Sequence, residues 1–491
     1  MSQLPVLPLL PLLVGSVIAL LAGLWRAAAG QVVAVLATAT SLLFGVIGLV
    51  TVVGDDPISY AFGGWPPPIG IEYVLDPLSA FMVTIVALIG LLIAIYPVDA
   101  AFGLHPPKGA PLYPLVLLVL TGLTGVMLSG DLFHLFVMIE IYALATYGLV
   151  SLGGDRGVLA ALRYLLLGTV GSGLYLLGVG FVYFSTGTLN MADVASRLPP
   201  IADSPAVLGA VGLMVIGLAL KMALFPLHVW LPDAHSAAPP GVAALLAAVQ
   251  VKAAAYALVR ILYDVLGPAY LGTGGLPVAT ALVWFGMAGI VVGSWLAIRQ
   301  TDLKRMLAYS TVAQLGYIGV GIGLANPIAL VGALLHVLNH ALMKSGLFLV
   351  AGGIIQQTGL KRIPRFTGLG KRMPWTMAGF AIMALSMVGI PPLAGFWSKF
   401  YLVWGAIEVD EWVVAAVVST SSLLTLVYFV RLFEQIFVRE PVEAIVEQAQ
   451  EPGSRIVGTV GVLAVAIVAV GLLNAVLVRE VLAPVAERLL G

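Results

Sequence analysis

The chain has 491 residues, of which 61% are hydrophobic and 9% are charged, with equal numbers of basic and acidic side chains. A soluble protein carries about 25% charged residues, so this composition excludes a soluble protein and indicates an integral membrane protein. The zero net charge gives no sign of a nucleic-acid partner. The absence of cysteine excludes disulfides, thiolate metal sites and cysteine-bound iron–sulfur clusters.

Runs of about 20 apolar residues, separated by polar or Pro/Gly-rich breaks, predict an all-α polytopic membrane protein with about 14 transmembrane helices. The first run lacks a positively charged start, so we interpret it as an uncleaved span rather than a signal peptide. The predicted spans are 4–25, 31–53, 72–96, 112–129, 132–152, 158–184, 206–229, 237–263, 276–297, 305–324, 327–352, 376–405, 411–437 and 456–478.

The placement of lysine and arginine predicts the orientation of these spans. Most basic residues outside the spans fall in one alternate set of loops, which includes the basic segments 299–305 and 361–372. The opposite set, with both termini, holds Arg197, Arg479 and Arg488. Because basic loops stay in the cytoplasm, we expect both termini outside.

The seventh and twelfth predicted spans each combine a proline break with a lysine. Pro226 interrupts the seventh and Pro391–Pro392 the twelfth, since proline removes a helix hydrogen bond and crowds the preceding turn. These spans stand five apart, and an odd spacing makes equivalent helices run in opposite directions, as in transporter repeats. The sequence thus predicts three N-terminal helices in 1–111, inverted five-helix units in 112–263 and 276–437, and a cytoplasmic loop with a C-terminal helix in 438–491.

Glu140 and Lys221 are the first candidate functional pair, because both lie deep inside predicted spans. A lysine at the membrane centre costs about 2.5–3.5 kcal/mol, so such residues usually mark an ion path. A close glutamate would hold the lysine charged, and separation would let it release its proton. The alternatives are a lysine that snorkels to the interface and a protonated glutamic acid hydrogen-bonded to a helix.

Further ionisable residues continue this pattern in later spans. Lys252 lies among small residues, and His336, His340 and Lys344 recur at four-residue intervals that line one helix face. Lys399 follows the second proline break, where a snorkelling lysine is the alternative. The histidine spacing also suits a metal, but without an accompanying glutamate or any cysteine we expect no metal site. A hydrogen-bonded histidine pair is the competing interpretation.

Between the two lysines at 221 and 252 lies a proline-rich stretch with three ionisable side chains. His228, Asp233 and His235 are close in sequence to Pro226, and we interpret them as the cytoplasmic mouth or gate of the path. The sequence offers no site for a cofactor.

Five motifs give the sequence a resemblance to a known family: DLFHLFVMIEI around Glu140, LKMALFPLHVWLPDAHSAAP around Lys221, TDLKRMLAYSTVAQLGY, LNHALMKSGLFL around Lys344 and GIPPLAGFWSKF around Lys399. They resemble the proton-translocating antiporter-like subunits shared by Mrp-type cation/proton antiporters and respiratory complex I. The GGWPPPIGI loop and the lysine at 399 are most similar to Mrp D subunits.

The resemblance implies a proton-translocating subunit of a multi-subunit Na⁺/H⁺ antiporter in a prokaryotic inner membrane, which is a transporter subunit and not an enzyme. It implies a proton path through Glu140, Lys221, Lys252 and Lys399, with His336 and Lys344 on the same axis. The implied partners are other membrane subunits, protons, sodium ions and lipid. The alternative is a proton-pumping subunit of a complex I-like NADH:quinone oxidoreductase or a membrane-bound hydrogenase.

Overall fold

The computed structural model describes residues 3–97, 111–273 and 275–490. Within these ranges, ten helices are long and apolar enough to cross a membrane, and three further apolar helices are shorter. With the less apolar helix Leu303–Gly323, they supply a helix for each of the fourteen predicted spans. The end of the first predicted unit, 98–110, lies outside the described residues.

The first part of the chain consists of helices and one two-stranded antiparallel sheet. Its elements are α1 Leu10–Trp25, α2 Ala27–Val52, β1 Ile58–Ala61, β2 Glu72–Leu75, α3 Pro77–Ile95, α4 Leu112–Leu128, α5 Leu132–Ser151, α6 Asp155–Thr186, α7 Met191–Arg197, α8 Pro205–Met222, α9 Trp230–Ala237 and α10 Pro240–Val265. The two strands pair from Ile58 opposite Leu75 to Ala61 opposite Glu72.

The second part is helical throughout its regular elements. These are α11 Pro268–Thr273, α12 Val278–Ile298, α13 Leu303–Gly323, α14 Pro327–Thr358, α15 Leu369–Arg372, α16 Pro374–Val388, α17 Ala394–Glu408, α18 Trp412–Val438, α19 Ala444–Glu447, α20 Ser454–Leu472, α21 Asn474–Leu477 and α22 Ala483–Leu490.

Several predicted span boundaries differ from those of the helices, and three of the differences have a local cause. Residues 72–75, taken as the start of span 72–96, form β2, and Asp76 caps α3 by accepting from the Ser79 backbone. Span 206–229 ends as a helix at Met222, and span 237–263 begins as a helix at Pro240. At these positions a proline or a capping side chain determines where the helix begins or ends, and the helix is shorter than the apolar run.

Both predicted discontinuities are present. The seventh span is α8 followed by an irregular segment before α9, and the twelfth is divided into α16 and α17. Gly389 ends α16 with φ +94°, and a Cβ on Gly395 would lie 1.9 Å from the Ser386 carbonyl oxygen. The second break therefore requires glycine at both positions.

Two helices form the centre of the molecule. The most apolar 18-residue stretches of α10 and α14 are entirely buried, whereas most other spanning helices keep an exposed apolar face for lipid or for partner subunits. The small residues of α10, from Ala243 to Ala257, let neighbouring helices approach closely. Lys252 and the 336–344 group lie on these two helices.

Candidate functional site

Glu140 and Lys221 meet between α5 and α8. The Lys221 Nζ lies 3.5 Å from the Glu140 Oε1, so the contact expected from the sequence is present. Ser172 on α6 donates to the same oxygen. The lysine side chain is 2% exposed and the glutamate 26%, which excludes a snorkelling lysine. The carboxylate therefore pairs with a buried ammonium and is itself partly exposed at the surface of the chain.

The helix break begins one residue after Met222. Ala223 adopts a left-handed conformation, with φ +59°, and closes the last turn of α8. At this break the Leu220 carbonyl accepts from the Trp230 indole at 3.0 Å. A side chain of the protein thus supplies a hydrogen bond to the backbone at the break, because an unbonded carbonyl is costly in a membrane.

Lys252 lies just after a π-helical turn of α10, Leu246–Gln250. Its Nζ donates to the Ala247 carbonyl inside this turn, so its hydrogen-bond partner lies on its own helix. Such π turns are frequent at functional sites. The lysine is 1% exposed, and its ammonium is held by a carbonyl dipole without a neighbouring carboxylate among its hydrogen-bond partners.

A polar link missed by sequence reasoning joins the first break to α10. The Gln250 side chain accepts from Thr146 at 3.1 Å and donates to the Tyr164 hydroxyl. The Tyr164 ring stacks on Trp230 with a centroid separation of 4.0 Å. Gln250 was visible in the sequence as a polar residue two positions before Lys252, but its partners lie 104 and 86 residues earlier in the chain.

The predicted face of α14 is polar and buried. The rings of His336 and His340 stack with centroids 5.8 Å apart, and the His336 Nδ1 lies 2.9 Å from the Ser398 hydroxyl. Neither ring nitrogen of His340 has a hydrogen-bond partner in the described part of the chain. Lys344 donates to the Leu307 carbonyl at 2.7 Å and to the Ser310 hydroxyl. The four-residue spacing therefore does align three titratable groups.

Lys399 folds back onto the second helix break. Its Nζ donates to the Met387 and Val388 carbonyls, both at 3.0 Å, and to the Ser422 hydroxyl at 3.1 Å. The ammonium also lies 5.1 Å from the centre of the Tyr317 ring. With 6% of its surface exposed, this lysine does not snorkel. The carbonyls freed by the break are the ligands of the buried charge.

A charged cavity of about 380 Å³ opens at the end of the molecule where α9 and α13 meet. Asp233 accepts from Arg163 at 2.9 Å and lies 3.3 Å from Arg305, so it bridges α6 and α13. We refer to this space as the inner cavity; it is lined by Gly153, Arg156, Leu159, Ala160, Arg163, Asp233, Ser236, Ala237, Asp302, Lys304, Arg305 and Lys361.

The three residues predicted to form one mouth or gate are placed in different surroundings. Asp233 lines the inner cavity, whereas His235 is fully buried, edge-on to Trp230 and to Phe348. His228 does not line this cavity and stacks on Phe225 in the helix break. Because α9 begins at Trp230, His228 lies in the irregular segment while Asp233 and His235 lie on the helix, so closeness in sequence did not predict their different surroundings.

These groups define a class of protein. In the described ranges, no set of three His, Cys, Asp or Glu side chains is placed to hold a metal ion. The site is a row of buried lysines and histidines that runs through two central helices and ends at two helix breaks. Ionisable residues buried in this way in a polytopic membrane protein are typical of ion transporters.

The chain belongs to the NADH:quinone oxidoreductase/Mrp antiporter transmembrane family, whose model matches residues 129–425. It is 47% identical over 464 residues to the N subunit of the NADH-quinone oxidoreductase of Desulforudis audaxviator, covering 91% of each chain. It is 32% identical to the D subunit of the Na⁺/H⁺ antiporter of Alkalihalophilus pseudofirmus, covering 88% of this chain and 86% of the relative.

The fold is similarly close to a solved assembly. A chain of the Mrp complex from Dietzia sp. DQ12-45-1b matches with a TM-score of 0.89 and 28% identity, over 99% of this chain and 97% of the other. The resemblance inferred from the sequence motifs, including the link to both Mrp antiporters and complex I, is therefore confirmed.

Proposed function

We propose that this chain is the proton-translocating membrane subunit of a multi-subunit Na⁺/H⁺ antiporter. The observation that carries the proposal is the Glu140–Lys221 pair, which stands at the start of a buried series of titratable groups. The path continues through Lys252 and the group His336, His340 and Lys344 to Lys399, whose side chains are buried and are held by carbonyl and hydroxyl oxygens where they have hydrogen-bond partners.

The pair works as a switch on the proposed path. While the Glu140 carboxylate lies close, the ammonium of Lys221 is stabilised, and its withdrawal favours release of the proton towards Lys252. The membrane potential supplies about 2.3 kcal/mol per charge per 100 mV, which is similar to the interaction of one partly screened ion pair. Transfer from one lysine to the next is thus energetically reasonable.

The inner cavity is the proposed cytoplasmic mouth of this path. Its basic lining, Arg156, Arg163, Lys304, Arg305 and Lys361, agrees with a cytoplasmic location by the positive-inside rule. With this orientation both termini face outward in a prokaryotic inner membrane. The units 112–263 and 276–437 are then the two inverted repeats, with 1–111 and 438–491 flanking them.

The proposed partners are other membrane subunits, and the chain is a transporter subunit without a cofactor of its own. The 26% exposed side chain of Glu140 supports this proposal, because a carboxylate that tunes a buried lysine is expected to face protein rather than lipid.

A second candidate function is proton pumping within a complex I-like oxidoreductase or a membrane-bound hydrogenase. The observation that favours it is the 47% identity to the N subunit of an NADH-quinone oxidoreductase. The proposed proton path is the same in both cases, and only the source of free energy differs.

Purification of the native complex, followed by a transport assay, tests the proposal. We expect associated membrane subunits without iron–sulfur proteins, and vesicles of the complex that acidify or alkalinise their lumen when a sodium gradient is applied. Copurification of iron–sulfur redox subunits, with proton movement driven by electron transfer and not by sodium, would favour the second candidate.

A further inference from the structure

The inner cavity is strongly basic. Five basic side chains line it against two acidic ones, so its formal charge is +3. The basic side chains belong to the start of α6, the start of α13 and the loop after α14, which lie far apart in the sequence. The positive-inside rule accounts for the side of the membrane on which they lie, but not for their convergence on one cavity. The convergence indicates a binding site for an anion.

The two carboxylates of the cavity leave most of this charge unbalanced. Asp233 is shared by the two arginines described above, and Asp302 accepts from a backbone N–H at the start of α13. The Lys304 ammonium donates to a backbone carbonyl. Arg156 and Lys361 are exposed, and within the described ranges neither side chain has a hydrogen bond or an ion pair. The cavity therefore keeps a surplus of positive charge that attracts an anion and repels a cation.

An apolar surface on α6 adjoins this basic cavity. Leu159 lines the cavity, and Leu162 and Leu166 continue the same helix face; all three side chains are more than half exposed. The cavity lies at the first turns of α6, a helix long enough to cross the membrane. The basic wall is thus expected at the level of the lipid headgroups, and the leucines at the depth of the acyl chains. An anion with acyl chains can contact both surfaces, whereas a soluble anion can contact only the basic one.

We propose that the inner cavity binds the phosphodiester group of an anionic phospholipid from the cytoplasmic leaflet, with its acyl chains against the α6 face that begins at Leu159. Basic pockets between transmembrane helices on the cytoplasmic side suit such headgroups. Arginine matches phosphate through paired N–H donors, and lysine binds it as a point charge. Arg156 and Lys361, which have no partner in the described ranges, supply the first contacts. The site goes beyond the proposed proton path and rests on that proposal only for the side of the membrane.

The bound lipid also has a consequence for the proposed cytoplasmic mouth. A cavity with a formal charge of +3 repels an entering proton. The phosphodiester carries one negative charge and offsets part of this repulsion. The lipid phosphate is thus a component of the mouth that the chain itself does not supply.

Native mass spectrometry of the whole complex, stripped of lipid in detergent, tests the site. Bound lipid is counted during titrations with phosphatidylglycerol and with phosphatidylcholine, which has the same phosphodiester and chains but no net charge. Arg156→Gln/Lys361→Gln removes the two unpaired cavity charges. Arg299→Gln/Arg362→Gln is the matched control, because it removes two exposed basic side chains outside the cavity lining.

We expect the tightest phosphatidylglycerol site of the parent complex to bind phosphatidylcholine about tenfold more weakly or worse, since the choline headgroup adds a positive charge. Arg156→Gln/Lys361→Gln is expected to weaken phosphatidylglycerol binding at this site about tenfold or more, through loss of charge-assisted hydrogen bonds. The control is expected to keep the parent affinity. Equal affinities for the two lipids, or equal affinities of the cavity variant and the control, would overturn the proposal.

Two further measurements identify the occupant. Inorganic phosphate is added as a competitor; displacement of the lipid at an equal concentration would show that the site takes a soluble anion, which overturns the lipid assignment. A benzophenone attached to Ser236→Cys, in a chain without native cysteine, is photolysed in native membranes. A phospholipid adduct on this chain supports the proposal, whereas an adduct with another polypeptide would mean that an acidic protein segment fills the cavity and would overturn it. None of these measurements uses proton flux, so failure of the proposed proton path would leave them unchanged.

Discussion

The sharpest test of the proposed switch is Glu140→Gln, which keeps the size of the side chain and a hydrogen-bond acceptor for Ser172 but removes the charge. A full ion pair near 4 Å is worth about 4 kcal/mol at an effective dielectric of 20. Glu140 is 26% exposed, so solvent screening reduces this to about 2 kcal/mol. Since 1.4 kcal/mol corresponds to a factor of ten, the loss at Lys221 is about thirtyfold.

The assay is the initial rate of pH change in vesicles of the assembled complex after a sodium step, followed with a pH-sensitive dye. We expect Glu140→Gln to lower this rate about thirtyfold or more, with assembly unchanged. Glu440→Gln is the matched control, because Glu440 pairs with Lys371 on the surface, where both side chains are more than 60% exposed. A Glu140→Gln complex that assembles normally and keeps its rate within twofold of the parent would refute the role given to this pair.

Three further perturbations follow from the same contacts. Ser172→Ala removes a hydrogen bond to a charged group, worth about 1.5–3 kcal/mol, and should lower flux about ten- to hundredfold, whereas Ser185→Ala, which removes an exposed hydroxyl bonded within its own helix, should not. Lys399→Met should abolish flux in an assembled complex, with the exposed Lys371→Met as control; retained flux would remove Lys399 from the path. Gly395→Ala places a Cβ 1.9 Å from a carbonyl oxygen and should destabilise the fold by about 1–3 kcal/mol in thermal unfolding, whereas Gly173→Ala meets open space and should not.

The parts of the fold that depend on local sequence were predictable. Hydropathy located all fourteen spans, and the prolines at 226, 391 and 392 located both helix breaks. Lysines at membrane depth predicted the buried axis, because such costly residues usually face the interior of the protein and not lipid. Errors of a few residues arose where a cap or a strand, such as Asp76 or Glu72–Leu75, interrupts an apolar run.

The partners of the axis residues could not be predicted, because they depend on tertiary packing. Lys252 binds a carbonyl of its own helix only because a π turn precedes it, and propensity carries no signal for that turn. Lys399 donates to a carbonyl that the helix break leaves free, and Arg488 donates to Asp76, which lies 412 residues earlier in the sequence.

The distribution of charge along the axis favours transfer of protons in succession rather than simultaneous occupancy. In the described residues, Glu140 is the one carboxylate in an ion pair with an axis lysine, whereas Lys252, Lys344 and Lys399 are held by carbonyl and hydroxyl oxygens. Neighbouring ammonium groups repel one another strongly in a medium of low dielectric. On the proposed path, a proton that arrives at one lysine therefore weakens the binding of the proton at the next lysine.

A single carboxylate at one end is then enough to drive the series. Withdrawal of Glu140 by a few ångströms changes the interaction at Lys221 by about 2 kcal/mol at an effective dielectric of 20. This is comparable with the work done by about 100 mV of membrane potential on one charge. On the proposed path, repulsion carries this change along the axis to lysines that no solvent reaches. The 26% exposed side chain of Glu140 is therefore the position at which we propose that a neighbouring subunit acts on this chain.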